Sequence, residues 1–220
     1  MNKRVGVLGG TFNPIHYGHL RCAEEVRERF GLDRVFFVPA AIPPHKNDPF
    51  MPSAAKRLKM VELALEGNPQ FRSSRVEIDR AGRSYSVDTL KYFRKRFPEP
   101  DSVHFIVGMD AFLDFRSWKS YREIPSLCSL VVATRPGYSS SSSLAKIPVE
   151  IRDEFWYDRK NRMCVHASGN TLRFFRITGM EISASAIREK VSRGESIRYL
   201  TADAVIDYIE KQSLYRTGEG

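Results

Sequence analysis

Short apolar segments alternate with segments of helical periodicity along most of this sequence. The predicted strands are Val5–Leu8, Val35–Pro39, a segment with poorly defined ends within Phe71–Ile78, His104–Gly108 and Ser129–Ala133. The predicted helices are Gly18–Phe30, Ala55–Leu65, Ser86–Phe97, Ser183–Arg193 and Thr201–Gln212. Because the strands are continuously apolar and alternate with helices, they indicate an α/β fold, a doubly wound parallel sheet covered by helices on both faces.

The length of the chain suits one core, and we expect a single domain over residues 1–220. Residues 138–172 give no firm secondary structure, and the serine run Ser139–Ser143 predicts a mobile surface loop. The last two predicted helices form a small C-terminal helical part, residues 183–215. Ser183 is the expected N-cap of the first of them, and Ser86 is the expected cap of an earlier helix.

The charge balance favours a polyanionic partner. The sequence has 35 Lys and Arg against 26 Asp and Glu residues, a formal net charge of +9. This suits a nucleotide, a nucleic acid or an anionic membrane surface, and it also fits a merely solvated basic surface. Most of the 14 Phe residues fall in predicted strands or on helix faces, unlike the exposed aromatics of single-strand binders. We therefore expect no nucleic acid partner.

Cysteine usage and hydropathy indicate a reduced compartment. Cys22, Cys128 and Cys164 lie far apart, their number is odd, and no CxxC occurs. The first residues lead into a strand without the apolar stretch of a signal peptide, and no apolar run approaches the roughly 18 residues that span a bilayer. We expect a cytoplasmic protein with no membrane partner. The sequence leaves the oligomeric state open, and a homo-oligomer is compatible with it.

The segment Gly9–Leu20, GGTFNPIHYGHL, joins the first predicted strand to the first predicted helix. Ligands of parallel sheets bind at the carboxyl ends of the strands, where this segment lies. Its glycines let the backbone approach a ligand closely, and the start of the helix suits phosphate. His16 and His19 are three residues apart and can lie on one side of the first helical turn.

Other interpretations of these histidines are a zinc site and a structural turn. Cys22 would be the third zinc ligand, but six residues along a helix it points away from His16. Two satisfied structural histidines are the plainer alternative. The segment is neither a dinucleotide G-x-G-x-x-G motif nor a Walker loop, since Gly-Lys-Ser/Thr is absent from its end.

The histidine segment resembles the HxGH signature of the nucleotidylyltransferase superfamily. Its longer form is similar to the G-G-T-F-[DN]-P-I-H-x-G-H-L of bacterial nicotinate-nucleotide adenylyltransferases. Further segments resemble that family in the same order: Pro43–Lys46, Ser84–Leu90, Gly108–Asp110, Trp118, Arg135–Gly137 and Ile182–Arg188. The resemblance extends from Val5 to about Tyr215. Departures from the family's pattern are Asn13 for a frequent Asp, Ala184 for a frequent Ser and Ser86 for a frequent Thr.

The resemblance implies a Rossmann-like nucleotidylyltransferase fold and a specific reaction. ATP and nicotinate mononucleotide would give nicotinate adenine dinucleotide and pyrophosphate, a step of NAD biosynthesis. The attacking phosphate has a second pKa of about 6 and is largely ionised at neutral pH, so neither a general base nor a covalent intermediate is needed. Catalysis then consists of aligning two phosphates and neutralising charge. The implied cofactor is Mg²⁺, carried by ATP.

The resemblance also implies residue roles. The catalytic residues would be His16, His19 and Arg188, whose guanidinium offers a fork of donors to phosphate. The ATP-binding residues would be Gly9, Gly10, Thr11, Phe12, His16, His19, Ser183, Ser185 and Arg188. The residues that bind nicotinate mononucleotide would be Lys46, Ser86, Asp110, Trp118, Lys119 and Arg135. Plainer alternatives are an ordinary N-cap for Ser183 or Asp110, and a core position for Trp118.

Two competing functions remain open at this stage. One is another adenylyltransferase or cytidylyltransferase of the same superfamily, such as one that acts on phosphopantetheine. A relative that prefers the nicotinamide form typically opens with G-R-F-Q-P instead of Gly10–Pro14. The other is a nucleotide sensor or an RNA-binding module without turnover, which release of pyrophosphate from ATP would distinguish.

Overall fold

Eight strands form one sheet in the computed structural model, which describes residues 3–43, 51–80, 82–135 and 143–216. The strands are β1 Val5–Gly10, β2 Arg34–Pro39, β3 Phe71–Ser73, β4 Val103–Gly108, β5 Ser129–Thr134, β6 Phe155–Asp158, β7 Met163–His166 and β8 Thr171–Arg176. Their order in the sheet is β3-β2-β1-β4-β5-β8-β7-β6. Strands β1, β4, β5 and β8 pair in parallel, whereas β6–β7 and β7–β8 are antiparallel.

Helices connect and flank these strands. In the described ranges they are α1 Tyr17–Phe30, α2 Ala54–Ala64, α3 Val76–Arg80, α4 Ser86–Arg96, α5 Met109–Leu113, α6 Ile124–Leu127, α7 Val149–Arg152, α8 Ala184–Ser192 and α9 Asp203–Lys211. The doubly wound α/β fold predicted from the alternation of apolar and helical segments is confirmed, and so is the presence of C-terminal helices. None of the described helices is long and apolar enough to cross a bilayer.

The central strands are buried because their sequences are apolar at successive positions. All six residues of β5, SLVVAT, are buried, and Leu130 and Val131 pair with Phe105 and Ile106 of β4. Such strands are covered on both faces, as the continuous apolar runs predicted.

The structure defines two regions that the sequence left open, namely the ends of the strand expected within Phe71–Ile78 and the elements that follow β5. The third strand ends at Ser73, and Val76–Arg80 form the helix α3. The alternation of Val76 and Ile78 resembles a strand, but an ion pair of 3.2 Å between Arg75 and Asp79 at helical spacing favours the helix. The region that gave no firm prediction contains the hairpin β6–β7, whose short segments mix polar residues with exposed Trp156 and Tyr157. Half-exposed edge strands lack the continuous apolar signal.

The described chain forms two compact units made of interleaved segments. The first unit comprises residues 3–9, 22–36, 85–135 and 143–179, and its core includes buried side chains of β4, β5 and α4. The second unit comprises residues 10–21, 37–43, 51–80, 82–84 and 180–216. In the second unit α2 packs against α9, and the buried side chains include Met60, Val61, Val205 and Ile209.

Candidate nucleotide-binding site

The turn after β1 is shaped by close packing around Phe12, in the second unit. Phe12 is buried with a positive φ of 48°, and its ring lies 6.0 Å from that of Phe37 and 5.1 Å, edge on, from that of His19. A Cβ on Gly10 would lie 3.1 Å from the Phe12 ring. Glycine at position 10 therefore favours this packing, in addition to allowing the close approach of a ligand.

His16 and His19 form a contacting pair at the start of α1. Their ring centroids are 3.8 Å apart, and the backbone N–H of His16 donates to Nδ1 of His19 at 3.3 Å. His16 is 5% exposed and His19 is half-buried. Because Nδ1 of His19 accepts this bond, the proton of the neutral ring is on Nε2, which is the donor that His19 can offer to a phosphate.

Gly18 allows the His16 ring to occupy this position. A Cβ at Gly18 would lie 3.0 Å from Nδ1 and 3.1 Å from Cε1 of His16, closer than ordinary van der Waals contact. The same Cβ would lie 3.8 Å from the carbonyl oxygen of Ile182, so the segment before α8 adjoins the start of α1. The structure thus gives the glycine of the HxGH segment a steric reason.

The C-terminal segment holds the turn between β1 and α1 through four hydrogen bonds within the second unit. Asn13 receives two of them: Arg188 Nη1 donates to its carbonyl oxygen at 2.8 Å, and Tyr215 Oη donates to its Oδ1 at 2.7 Å. Thr201 Oγ1 donates to the carbonyl oxygen of Ile15 at 2.8 Å, and the Tyr17 N–H donates to the carbonyl of Leu200 at 3.0 Å. These bonds fix the backbone that leads into His16.

Ser183 caps α8, as predicted. Its Oγ accepts from the Ala186 N–H at 3.2 Å and lies 3.1 Å from Oγ of Ser185. Both serines are exposed. The second unit therefore contains Gly10, Thr11, Phe12, His16, His19, Ser183, Ser185 and Arg188, and Gly9 directly precedes its first segment in the chain.

Arg57 is a buried residue of this unit that the sequence analysis missed. It is 1% exposed and contacts the carbonyl oxygens of Thr11 and Ala40. A signal was present in the sequence, because Arg57 precedes the core residues Met60 and Val61 by three and four positions and so shares their helix face.

Trp118 and Lys119 lie together in the first unit. Trp118 is half-buried, with its ring 6.0 Å from Phe105 and 5.4 Å from Phe115, so it packs against buried residues while part of its surface stays accessible. Lys119 Nζ lies 3.3 Å from Oδ2 of Asp88 and 4.4 Å above the Tyr85 ring. Through these contacts Lys119 adjoins the start of α4.

The other residues predicted to bind the mononucleotide lie at or near the ends of strands and helices of the first unit, except Lys46. Ser86 is the first residue of α4; the cap position is held by Tyr85 without a side-chain bond, so the prediction of Ser86 as the cap is wrong. Asp110 is an exposed residue inside α5, whose cap is Gly108, which excludes the N-cap alternative. Arg135 is exposed directly after β5. Lys46 lies outside the described residues.

Cys22, the third ligand considered for zinc, is half-buried on α1. Burial raises the pKa of its thiol to about 12, and the nearby Glu25 adds to this. Among the described residues, no group of three or more His, Cys, Asp or Glu side chains is arranged to hold a metal ion.

Comparison with known proteins identifies a matching family model and similar sequences. The family model described as cytidylyltransferase-like matches residues 7–190. A protein of Geotalea uraniireducens named "Probable nicotinate-nucleotide adenylyltransferase" is 49% identical over 212 residues, which cover 96% of this chain and 98% of that protein. A protein of the same name from Syntrophotalea carbinolica is 45% identical and covers 98% and 99%. The chain belongs to the nicotinate-nucleotide adenylyltransferase family.

Solved structures of the family's fold agree with this membership. The nicotinic acid mononucleotide adenylyltransferase of Plasmodium falciparum complexed with NaAD has a TM-score of 0.71 to this chain at 17% identity, with 97% of both chains covered. The same protein complexed with APC has a TM-score of 0.69 at 17% identity. At this identity the likeness concerns the fold, and it confirms the nucleotidylyltransferase architecture predicted from the HxGH segment.

Proposed function

We propose that this chain transfers the adenylyl group of ATP to nicotinate mononucleotide, yielding nicotinate adenine dinucleotide and pyrophosphate in NAD biosynthesis. Membership of the nicotinate-nucleotide adenylyltransferase family supports this reaction. The observation that carries it is the His16–His19 pair at the start of α1, fixed by Gly18 and by the C-terminal segment. This arrangement suits the binding of phosphate, and the reaction needs no nucleophile from the protein.

The reaction proceeds by direct transfer. An oxygen of the mononucleotide phosphate forms a bond to the α-phosphorus of ATP, while the bond from that phosphorus to the bridging oxygen breaks and pyrophosphate leaves with the electron pair. No proton has to be removed from the nucleophile, because a phosphate monoester is largely ionised at neutral pH. The protein's contribution is alignment of the reacting groups and stabilisation of the charge on the phosphoryl oxygens.

The charge is stabilised by groups of the second unit. His19 donates from Nε2, which carries the ring proton because Nδ1 accepts the bond from the His16 N–H. His16 adds a second imidazole, whose ring centroid lies 3.8 Å from that of His19. Arg188 uses Nη1 on the Asn13 carbonyl, and the remaining N–H groups of its fork suit the β- and γ-phosphates. The hydroxyls of Ser183 and Ser185 and the backbone from Gly9 to Phe12 complete the proposed ATP set.

Groups of the first unit bind the mononucleotide in this proposal. The half-buried ring of Trp118 stacks on the pyridine, and backbone N–H groups at Lys119 and at Ser86 at the start of α4 bind its carboxylate. Asp110 binds a ribose hydroxyl, and Lys46 and Arg135 bind the phosphate. The assignment of Lys46 rests on family resemblance alone, and the other assignments rest on that resemblance together with exposure or position in the described elements.

Mg²⁺ enters this proposal with ATP. The divalent cation neutralises phosphate charge and is bound mainly by phosphate oxygens and water in such sites. The side chains of the proposed ATP set fit a cation that is carried by ATP, because they are imidazoles, a guanidinium and hydroxyls, which bind phosphate oxygens. These groups take the phosphate oxygens, so we assign the cation no carboxylate ligand of the protein. The protein acts in the cytoplasm without nucleic acid, and a homo-oligomer remains compatible with the proposal.

Identification of the products tests the proposed reaction. The protein is incubated with Mg-ATP and, in separate reactions, with nicotinate mononucleotide, nicotinamide mononucleotide and phosphopantetheine, and both products are quantified. The proposal predicts nicotinate adenine dinucleotide and pyrophosphate in equal amounts. Transfer to phosphopantetheine with none to the pyridine nucleotides would assign the chain to another branch of the superfamily. Nucleotide binding without pyrophosphate release would indicate a sensor.

A further inference from the structure

Arg57 makes four hydrogen bonds to backbone carbonyl oxygens from deep inside the second unit. Its Nη1 donates to Thr11 at 2.7 Å, and its Nη2 donates to Ala40 at 2.6 Å and to Ala41 at 3.1 Å. Its Nε donates to Pro52 at 3.1 Å, directly before the cap of α2. One guanidinium therefore ties the turn after β1, the loop after β2 and the start of α2.

Burying this charge is costly, which calls for an explanation of its position. Burial lowers the pKa of Arg57 although Tyr215 and the buried Glu77 act in the opposite direction, and the partners of its four bonds are neutral carbonyl dipoles. An apolar side chain of similar volume would fill a core position without this desolvation cost. The other buried residues of α2, Leu58, Met60 and Val61, are apolar, so core packing alone does not explain an arginine here.

The bond to Thr11 sets the direction of the next peptide group. In a planar trans peptide the carbonyl and the following N–H point in opposite directions. Because the Thr11 carbonyl points toward Arg57 of α2, the N–H of Phe12 points away from that side chain. Thr11 and Phe12 both belong to the proposed ATP set. Arg57 therefore orients the backbone N–H of Phe12, a group that can donate to phosphate.

Phe12 links this peptide to the catalytic histidines. Its positive φ of 48° is unfavourable for a bulky residue, so the surrounding contacts must hold the turn in this conformation. The Phe12 ring in turn contacts the His19 ring edge on at 5.1 Å. The second anchor of the turn is the Ala40 N–H, which donates to the carbonyl of Gly10 at 2.9 Å, while Arg57 binds the carbonyl of the same Ala40.

We propose that Arg57 is a positioning residue for adenylyl transfer, which holds the Thr11–Phe12 peptide and thereby the ATP phosphates and His19 in register. This inference rests on the proposed function. Arg57 contacts neither substrate, because it is buried and its donors are directed to main-chain oxygens. Its removal should lower kcat, because misplacement of reacting groups by about 1 Å costs on the order of a hundredfold in rate. It should also raise the KM for ATP, whose phosphates the turn binds. The KM for the mononucleotide should stay within about twofold of the wild-type value.

The test compares Arg57→Lys, Arg57→Ala and the control Met60→Ala, which truncates a buried apolar side chain of the same helix. Formation of nicotinate adenine dinucleotide by the wild type is measured first, so that failure of the proposed reaction is distinguished from failure of the role proposed for Arg57. We expect kcat per folded protein to fall about tenfold to a hundredfold in both Arg57 variants. Met60→Ala should lower the melting temperature while retaining kcat.

Chemical rescue distinguishes positioning from stability. Guanidinium, added far below denaturing concentrations, should enter the space left in Arg57→Ala and raise its kcat at least several-fold, whereas urea and sodium chloride should not. The proposal is overturned if guanidinium has no effect on kcat, if Arg57→Lys folds with wild-type kinetics, or if kcat losses merely follow the loss of folded protein. Failure of both Arg57 variants to fold would make Arg57 a structural residue and overturn it as well.

Discussion

Arg188 Nη1 donates to the carbonyl oxygen of Asn13 at 2.8 Å, across 175 positions of sequence. This bond anchors the guanidinium of α8 on the turn that precedes His16. Anchoring at one nitrogen fixes the orientation of the planar fork, so the remaining N–H groups are presented in a defined direction. Arg188 thus combines a structural bond with the phosphate contacts that we propose for it.

Arg188→Lys should behave as a severe substitution. A lysine ammonium is a point charge that cannot keep the Asn13 bond and a bidentate phosphate contact together. We expect kcat/KM for ATP to fall about tenfold to a hundredfold, the range for loss of a charge-assisted hydrogen bond. The matched control is Arg193→Lys, because Arg193 is an exposed arginine close behind α8 that pairs with Glu189. Equal kinetics of the two variants would remove Arg188 from the phosphate site.

His19 variants test which ring nitrogen acts on ATP. His19→Ala should lower kcat about a hundredfold or more, the scale for losing one transition-state donor. His19→Gln should retain more activity than His19→Asn, since a glutamine amide can approximate Nε2, whereas asparagine approximates Nδ1, which is the acceptor for the His16 N–H. Glu28→Ala, an exposed substitution on α1, serves as the control. Near-normal turnover of folded His19→Ala would eliminate the role, and the reverse order of Gln and Asn would contradict the assigned tautomer.

Gly18→Ala should separate stability from activity. The added Cβ would lie 3.0 Å from Nδ1 of His16 and would displace that ring. Alanine restricts the unfolded chain, which favours folding by about 0.4–1 kcal/mol, but displacing the buried His16 ring opposes this gain. We therefore expect the free energy of unfolding to change by no more than about 1 kcal/mol. We expect kcat to fall at least about tenfold, because a catalytic donor loses its alignment. Thermal unfolding and steady-state kinetics measure the two effects, and an unchanged kcat would show that the His16 position is not critical.

Asp101 should make the protein sensitive to acid. Burial alone would raise the pKa of this carboxyl, but hydrogen bonds from His104 and Ser129, together with the charges of His104 and Arg4, outweigh it and lower the pKa to about 2. Because the folded pKa lies below the unfolded value of 3.8, the stabilisation is complete above that value and is lost as the pH falls from about 4 to about 2.

The variant that measures this effect is Asp101→Asn. The carboxyl is 33% exposed, so solvent screening reduces its effect, and we expect a loss of about 1 to 2 kcal/mol in the free energy of unfolding at pH 7. Denaturant titrations at several pH values give the difference between wild type and variant. That difference should shrink below about pH 4. A difference independent of pH would show that the interactions of the Asp101 carboxylate with His104, Ser129 and Arg4 do not stabilise its charged form in the folded state.

Much of the fold and of the ATP set could be predicted from sequence because the signals are local. Strands β4 and β5 are continuously apolar, and the HxGH segment joins a strand to a helix within a few positions. Ser183 also follows a local rule, because an N-cap bonds to a backbone N–H three residues away.

The rest depended on contacts between distant parts of the chain. The burial of Arg57 is compensated by carbonyls from three separate loops, and the Tyr215–Asn13 bond joins positions that are 202 residues apart. The β6–β7 hairpin gave no firm signal because β6 is a short edge strand in which the successive residues Trp156 and Tyr157 are both exposed. The roles of Lys46, outside the described residues, and of Asp110, Trp118, Lys119, Ser86 and Arg135 stay predictions.

The ratio of kcat/KM for nicotinate and nicotinamide mononucleotides, measured under identical Mg-ATP, tests the central claim most directly. The two substrates differ by a carboxylate and a carboxamide on the pyridine ring. A site of backbone N–H donors at Ser86 and Lys119 satisfies the carboxylate but leaves the amide NH₂ facing donors, which costs about 1–3 kcal/mol. The account predicts a preference for nicotinate of about tenfold to a hundredfold or more. Equal values, or a preference for nicotinamide mononucleotide, would contradict it.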